Sequence, residues 1–294
     1  MRSVDQSSKV KVSRSTVIDL AMTAHIQRHH FYFRAAGRRL HAERLTPPQA
    51  AVGPTLVFLH EGLGSIGQWG SFPAQLCALT GLPGLVYERW GYGRSEGLTG
   101  PRPDDYLQQE AQNSLPEVLA ACGIVNPPIL FGHSDGASIA LLFAAFHPDQ
   151  TQAVISEAAH VFVEEVCLAG IRMARTTYEQ GDLQTGLRRH HGYNTEWMFR
   201  GWSEVWLQPG RRDWNMMAEL SAIACPTLII QGQDDEYGTR AQVDAIANGV
   251  AGPTEILWLP GCGHSPHHQA REAVLGVTGR FINGSCAKLC VTPP

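Results

Sequence analysis

Three features that define other classes of protein are missing from this 294-residue sequence. It has no excess of positive charge, because 27 acidic residues outnumber 23 lysines and arginines and give a net charge of −4. Nucleic-acid-binding domains are normally basic, so that class is disfavoured. No apolar run approaches the roughly 18 residues that a membrane span needs, and the best, Ala137 to Phe146, covers about half of that. With 44% hydrophobic residues the chain is expected to fold as a soluble globular protein.

Paired cysteines are also missing. The seven cysteines are an odd number with no Cys-x-x-Cys pair, which disfavours a disulfide framework and favours a reducing, cytoplasmic location. Residues 1–30 are polar and lack the apolar core of a signal peptide, so we expect them to form a loose extension outside the fold. Residues 285–294 are expected to form a C-terminal tail.

Short apolar runs rich in β-branched residues alternate with stretches of helical period. The predicted strands are Thr55–His60, Leu85–Tyr87, Ile129–Phe131, Ala153–Ser156, Thr227–Gln231 and Glu255–Leu259. The predicted helices lie near 68–80, 104–122, 136–147, 239–248 and 268–282. An early pair, Phe31–Ala35 and Leu40–Arg44, predicts a hairpin that adds antiparallel strands at one edge. The fold class is therefore α/β, a doubly wound and mostly parallel sheet, with its core over residues 31–159 and 223–284.

The interval 160–222 interrupts this alternation. It contains no convincing strand, and four of the seven tryptophans lie within it. Phe199, Trp202 and Trp206 fall at helical spacing on one face. An insertion of this length lies over a sheet rather than in it, so we predict a helical lid whose rings contact substrate. Packing of the rings on other lid helices is the alternative.

The clearest chemical signal is Gly132-His133-Ser134-Asp135-Gly136, between the predicted strand Ile129–Phe131 and the helix that follows it. The pentapeptide by itself is weak in a chain with 30 glycines. Its position is informative, because a tight strand-to-helix turn lifts the central side chain above the carboxyl edge of the sheet. Ser134 is therefore the candidate nucleophile.

A serine hydroxyl needs a base, and the base needs an acid to orient it. His264 follows the last predicted strand and can reach the same sheet edge, so it is the candidate base. Asp235 is the preferred acid, with Asp234 second and Glu157 third. A metal site is the rival interpretation of the crowded Cys262, His264, His267 and His268. These four lack the paired spacing of zinc ligands, so no metal is expected.

A tetrahedral intermediate needs two N–H donors. One is predicted to be the backbone of Asp135, and the other that of Gly62 in the turn after Thr55–His60. The same turn, Gly62 to Gly67, matches the dinucleotide-binding Gly-x-Gly-x-x-Gly. It does not belong to the first strand-helix unit, and a dinucleotide fold would leave Ser134, Asp235 and His264 unexplained. No cofactor is expected.

The order Ser134, Asp235, His264 with a strand–turn–helix elbow resembles the α/β-hydrolase fold over roughly residues 30–284. More closely, the sequence resembles lid-bearing hydrolases of the proline iminopeptidase, esterase and C–C hydrolase kind. The resemblance implies that Ser134 is nucleophile, Asp235 acid and His264 base, and that the N–H groups of Gly62 and Asp135 form the oxyanion hole. The family's Asp-x-Arg-Gly-x-Gly-x-Ser turn is altered here to the segment from Glu88 to Ser95. Its usual His-Gly is His60-Glu61, which places Glu61 near the reaction centre.

These observations favour a serine hydrolase of carboxylesterase type that acts on a small-molecule acyl substrate. Thioester or amide cleavage, hydrolysis of a C–C bond in a diketone, and a non-catalytic receptor of the same fold are the alternatives. A serine rather than an aspartate nucleophile disfavours haloalkane dehalogenase and epoxide hydrolase activity. Besides Glu61, the residues predicted to contact substrate are Phe199, Trp202 and Trp206, and the sequence does not indicate an oligomeric state.

Overall fold

A single eight-stranded sheet forms the centre of the molecule. The computed structural model describes residues 25–287, with side chains as far as residue 284. The strands are β1 (Gln27–Ala35), β2 (Arg38–Thr46), β3 (Leu56–Leu59), β4 (Gly84–Glu88), β5 (Ile129–His133), β6 (Ala153–Glu157), β7 (Thr227–Gly232) and β8 (Thr254–Leu259). The first strand thus begins at Gln27, earlier than the predicted Phe31, and residues 1–24 and 288–294 of the predicted extension and tail lie outside the described residues.

The spatial order of the strands is β1-β2-β4-β3-β5-β6-β7-β8. The pairs β1–β2 and β2–β4 are antiparallel, and every other neighbouring pair is parallel. The predicted doubly wound, mostly parallel sheet with an antiparallel hairpin at one edge is therefore correct. Because parallel strands end at the same edge, the loops after β3, β5, β6, β7 and β8 are brought together, as at the switch point of other open α/β sheets.

Helices cover both faces of the sheet. They are α1 (Phe72–Thr80), α2 (Tyr106–Gln109), α3 (Leu115–Ala121), α4 (Asp135–Phe146), α5 (Glu165–Glu179), α6 (Asp182–His191), α7 (Thr195–Leu207), α8 (Arg240–Gly249), α9 (Pro266–Gln269) and α10 (Arg271–Ala287). A π-helical turn, Glu110–Ser114, joins α2 to α3. Short 3-10 turns span Ile66–Trp69, Pro148–Gln150, Gly192–Asn194, Pro209–Asp213 and Glu219–Ala222. Within residues 25–287, no helix is long and apolar enough to cross a membrane.

The alternation of side chains along β3 shows how the two layers of core are built. Val57 and Leu59 pack in the layer that contains α4, whereas Leu56 and Phe58 pack in the opposite layer with residues of α1 and α10. All four side chains are fully buried. A strand that is apolar on both faces is typical of a parallel sheet covered on both sides.

The segment between β6 and β7 contains α5, α6 and α7. Ile171, Ala174 and Tyr178 lie on one face of α5, and all three are buried. Trp202 and Trp206 are buried in α7, while Trp197 on the same helix is half exposed. The inserted helices therefore direct one aromatic face of α7 toward the rest of the protein.

Candidate active site

Ser134 occupies the turn between β5 and α4 in a strained backbone conformation. Its φ of 53° and ψ of −118° lie in a region that L residues seldom adopt, at a cost of about 1–3 kcal/mol. Neither of the flanking glycines, Gly132 and Gly136, has room for a side chain. A Cβ on Gly132 would overlap the carbonyl oxygen of Gly136, and one on Gly136 would overlap that of Leu59. The Ser134 N–H donates to the carbonyl of Glu157, which ties the turn to β6.

The structure brings Ser134, His264 and Asp235 together. The Ser134 Oγ lies 2.9 Å from His264 Nε2, and both carboxylate oxygens of Asp235 lie 2.9 Å from His264 Nδ1. Burial alone would lower the pKa of His264, but the Asp235 carboxylate and its hydrogen bond raise that pKa above its ordinary value. The imidazole is thus held with Nδ1 toward the acid and Nε2 toward the hydroxyl.

Of the three acids considered from the sequence, Asp235 is the one that contacts His264. It also accepts hydrogen bonds from Gln231 Nε2 at 2.6 Å and from the Tyr237 N–H at 2.8 Å. Burial opposes its ionisation, yet the charge and hydrogen bond of His264 lower the pKa of Asp235 to about 2. Asp234 is exposed, and the Glu157 carboxylate bonds to His267 instead.

The two residues whose backbone N–H groups are predicted as oxyanion donors, Gly62 and Asp135, border the same cavity as Ser134. Among the described residues, neither the N–H of Gly62 nor that of Asp135 donates a hydrogen bond. Asp135 is the first residue of α4, where N–H groups have no acceptor within the helix. A Cβ on Gly62 would overlap the indole of Trp202, so glycine is needed there.

The altered turn from Glu88 to Ser95 supports the loop that carries Gly62. Arg89 is fully buried, and its guanidinium donates to the carbonyls of His60 at 2.7 Å and Glu61 at 3.0 Å. The Glu88 carboxylate accepts from the N–H groups of Ile66 and Arg94 and contacts His41 Nδ1 at 2.8 Å. Glu88 and Arg89 therefore hold the loop in place from its buried side. In the sequence, only the resemblance of this turn to the family's turn could have indicated that role.

A small cavity of about 40 Å³ borders the nucleophile. It is lined by Glu61, Gly62, Leu63, Ser134, Asp135, His160, Cys167, Ile171, Trp202, Trp206, Tyr237 and His264. His160 and Tyr237 were not anticipated from the sequence, because a lone histidine and a lone tyrosine in loops carry no motif. Burial lowers the pKa of His160 to about 4, so it is neutral in this cavity near pH 7.

Trp206, which lines the cavity, is also linked to Asp135 by a chain of two hydrogen bonds. Its Nε1 donates to the Tyr106 hydroxyl at 2.9 Å, and that hydroxyl donates to the Asp135 carboxylate at 2.5 Å. Burial, together with the neighbouring Asp135, raises the pKa of Tyr106 well above its ordinary value, so Tyr106 remains a donor. The chain links α7 to the residue that follows the nucleophile.

The other predicted substrate contacts are placed differently. Trp202 borders the cavity, whereas Phe199 stacks on Tyr178 of α5 at 3.8 Å between ring centroids and does not border it. Glu61 borders this cavity and a second one of about 170 Å³. Its carboxylate has no hydrogen bond among the described residues, and burial raises its pKa.

The residues of the two rival interpretations can also be located. Each of the four suggested metal ligands has a different partner: Cys262 contacts Gln269, His264 contacts Asp235, His267 contacts Glu157, and His268 donates to the Gln68 carbonyl. The last glycine of the turn from Gly62 to Gly67 lies inside the 3-10 turn Ile66–Trp69, and α1 begins only at Phe72, so the glycines do not open directly into an α-helix as a dinucleotide-binding turn does.

A different buried cluster lies behind the triad and was not predicted. His133 donates from Nε2 to the His264 carbonyl at 2.7 Å, and His267 Nδ1 lies 2.5 Å from Glu157 Oε1. Burial lowers the pKa of His133 to about 3 and that of His267 well below its ordinary value. Burial raises the pKa of Glu157 to about 7.

A strained serine at a strand–helix turn, joined to a histidine and an acid at the carboxyl edge of a parallel sheet, defines the class of α/β hydrolases. The sequence model described as "Alpha/beta hydrolase family" matches residues 56–277. The chain therefore belongs to the alpha/beta hydrolase family.

Similar proteins of known structure share this fold. Proline iminopeptidase from Mycobacterium smegmatis superposes with a TM-score of 0.70 at 18% identity, over 89% of this chain and 100% of that one. The enol-lactonase from Burkholderia xenovorans LB400 gives a TM-score of 0.68 at 19% identity, over 86% and 100%. At these identities the similarity concerns the fold alone.

Curated relatives are hydrolases as well. Epoxide hydrolase B from Mycobacterium tuberculosis is 32% identical over 128 residues, which cover 43% of this chain and 34% of that protein. Mouse serine hydrolase BPHL is 24% identical over 250 residues, 81% of this chain and 78% of the relative. The match to human serine hydrolase BPHL covers 63% of that protein. The chain therefore spans about a third of the length of epoxide hydrolase B and just under two thirds of the length of human BPHL.

Proposed function

We propose that the protein is a serine hydrolase that cleaves a carboxylic ester or related acyl bond of a small apolar substrate. The observation that carries this proposal is the hydrogen-bonded series from Ser134 Oγ through His264 to Asp235. A hydroxyl becomes an effective nucleophile when an oriented imidazole accepts its proton.

The first half of the reaction transfers the acyl group to the enzyme. Ser134 Oγ bonds to the carbonyl carbon while its proton passes to His264 Nε2. The N–H groups of Gly62 and Asp135 stabilise the resulting oxyanion. When the intermediate collapses, the bond to the leaving oxygen breaks and His264 returns the proton to it, which releases an alcohol.

The second half restores the enzyme. His264 accepts a proton from water, and the hydroxide bonds to the acyl carbon. Collapse of this second intermediate breaks the bond to Ser134 Oγ, which regains its proton from His264 and releases the carboxylic acid. Asp235 stays ionised throughout and stabilises the imidazolium each time it forms.

The similarity to an epoxide hydrolase does not extend this proposal to epoxides. A serine hydroxyl that opened an epoxide would form an ether, which water does not cleave under these conditions. A carboxylate nucleophile would form a hydrolysable ester, but the residue at the turn is Ser134. The small cavity and its walls of Ile171, Trp202 and Trp206 favour a short apolar acyl group.

The proposal is tested with a series of p-nitrophenyl esters of increasing acyl length, with Ser134→Ala as the inactive variant. We expect that variant to keep its fold and to lose activity by roughly 10⁴-fold or more, because triad residues act as a unit. A fluorophosphonate should label the native protein at Ser134 and leave the variant unlabelled. Residual activity within about tenfold of the wild type would contradict the assignment.

A further inference from the structure

The cluster behind the triad combines three groups that bind metals well. His133, Glu157 and His267 are buried, and one potential ligand atom from each lies within 4.8 Å of the others. The two residues His133 and Glu157 end neighbouring strands, where they are paired in register. His267 reaches them from α9, so three separate elements place these groups in one spot.

In each of the two histidines, one ring nitrogen already forms a hydrogen bond, and the other nitrogen is the candidate metal ligand. A carbonyl oxygen only accepts, so His133 donates its Nε2–H to His264 and carries its lone pair on Nδ1. When the Glu157 carboxylate is ionised, His267 donates its Nδ1–H to it and carries its lone pair on Nε2. Metal-binding histidines almost always donate their second nitrogen to a carbonyl or carboxylate outside the coordination sphere, as His133 does to the His264 carbonyl.

Glu157 supplies an independent observation. Its side chain is fully buried, and its Oε2 has no hydrogen-bond partner. Among the described residues no arginine or lysine forms an ion pair with it. A buried carboxylate without a compensating cation is costly, and a bound metal ion would supply the missing charge.

Space for an ion and its water ligands lies next to the cluster. A cavity of about 170 Å³ is lined by both His133 and His267, together with His60, Glu61, Gly64, Ser65, Gln68, Trp69, Ser265 and His268. Ligand atoms around a tetrahedral zinc ion stand roughly 3.4 Å apart. Ligand atoms now within 4.8 Å of one another therefore need to close by up to about 1.4 Å, through rotation of the imidazole rings.

We propose that His133, Glu157 and His267 form a binding site for a divalent transition-metal ion of the zinc class. Two imidazole nitrogens and one carboxylate oxygen suit zinc, cobalt and nickel, whereas calcium and magnesium prefer all-oxygen sites. Water from the cavity completes the coordination. The hydrogen bond from His267 to Glu157 Oε1 lengthens as Oε2 turns toward the ion.

The site is coupled to the proposed catalytic base. His133 donates to the backbone carbonyl of His264, and His267 lies three residues after His264, in α9. An ion that draws His133 and His267 together displaces His264 relative to Ser134. Zinc is therefore an inhibitor of ester hydrolysis rather than a participant in it, a consequence that rests on the proposed function.

The binding test uses the full-length protein with Co²⁺ as a spectroscopic probe and Zn²⁺ as the competitor. We expect one equivalent of Co²⁺ to give visible d–d absorption of an ion bound to nitrogen and oxygen, and Zn²⁺ to abolish it. Glu157→Gln and His267→Gln should each weaken binding by more than the roughly tenfold to hundredfold that loss of an outer partner costs. His268→Gln, on the same cavity but outside the cluster, should bind as the wild type does.

Three results would overturn the proposal. One is the absence of saturable Co²⁺ binding, and another is binding that the Glu157 and His267 substitutions leave unchanged. The third is binding that disappears only in His264→Ala, which would place the ion at the triad. Because the variants test a buried cluster, crystals of the wild type soaked in zinc give an independent measurement. An anomalous peak among the three side chains supports the site, and its absence contradicts it.

Loss of ester hydrolysis on adding zinc, and its recovery with EDTA, tests the coupling separately. An enzyme that binds zinc at the cluster but shows no esterase activity without it would refute the proposed function and leave the metal site standing. An enzyme that hydrolyses esters but gives no Co²⁺ absorption would refute the metal site and leave the proposed function standing.

Discussion

Asp235 differs from its neighbour Asp234 in every contact that matters for the proposed mechanism. Asp235 is buried and accepts hydrogen bonds from His264, Gln231 and the Tyr237 N–H, whereas Asp234 is exposed. Asp235→Asn should lower kcat by about 10⁴-fold, since an amide no longer holds the required imidazole tautomer. Asp234→Asn is the matched control and should leave kcat within about twofold of the wild type. Ester hydrolysis rates of the two variants check this, and a larger loss in Asp234→Asn would reverse the assignment of the acid.

Glu61 provides a test of how charge tunes the catalytic base. Although burial opposes it, the pKa of His264 is raised by Asp235 and, to a smaller extent, by Glu61 and Glu236. Hydrolysis needs neutral His264, so activity falls as the pH drops through that pKa. Glu61→Gln removes one carboxylate and should move the acidic limb of the kcat/KM profile to lower pH.

The control for this shift is Glu179→Gln, which removes the same charge from an exposed position on α5. Its profile should superimpose on that of the wild type. An acidic limb that stays in place in Glu61→Gln would show that Glu61 does not act on His264 through its charge.

Sequence reasoning located Ser134 from its local motif, and His264 and Asp235 from the strands that precede them, but it missed buried contacts that neither signal marks. Ser134 is marked by its glycines and by the strand and helix around it. His133 stands beside it in the same pentapeptide, yet its function follows from the His264 carbonyl, 131 positions away in the chain. Glu157 was considered as the catalytic acid, but its partner is His267, which no spacing rule could indicate.

At the scale of elements, the predicted strands and helices correspond closely to the observed ones because apolar periodicity reports burial directly. Boundaries were less predictable. In β1, residues Gln27–His30 are exposed and polar, so the ladder to β2 continues where no hydrophobic pattern marks it. The predicted helix near 104–122 is interrupted by the π-helical turn Glu110–Ser114, a local change in hydrogen bonding without a sequence signal.

Two buried tryptophans of helix α7, Trp206 and Trp202, should differ in what their removal changes. Trp206 is almost fully buried and bonds to Tyr106, so its loss should mainly destabilise the fold. Trp202 has no hydrogen bond among the described residues, packs against Gly62 and borders the cavity. Trp202→Ala should enlarge the cavity and shift the preference among p-nitrophenyl esters toward longer acyl chains, with KM changing more than thermal stability.

Trp197→Ala supplies the control on the same helix, because that ring is 50% exposed and lies away from the cavity. It should leave both the chain-length preference and the melting temperature unchanged. A core tryptophan typically contributes about 3–5 kcal/mol. A loss of that size in Trp202→Ala, with an unchanged preference, would show that Trp202 only packs the fold.

Across the whole molecule, helix α4 beside the sheet and the inserted helices α5, α6 and α7 differ in the fraction of their residues that is buried. In α4, eleven of the twelve residues are buried. In α5 and α6 the corresponding numbers are five of fifteen and two of ten, whereas α7 buries eight of thirteen. The cavity at Ser134 holds only about 40 Å³, so we expect the inserted helices to move when a substrate larger than a few atoms enters.

This difference predicts the order of amide hydrogen exchange. Segments with few buried apolar contacts open with the smallest free energies, so α5 and α6 should exchange first, α7 later, and α4 with β5 last. Reaction of Ser134 with a fluorophosphonate carrying an apolar chain should slow exchange in α7, because the chain would contact Trp202 and Trp206. Mass spectrometry of the native and labelled protein measures both effects. If α5 and α6 are as protected as α4 before labelling, the inserted segment is a rigid part of the core, and access to Ser134 must occur by another route.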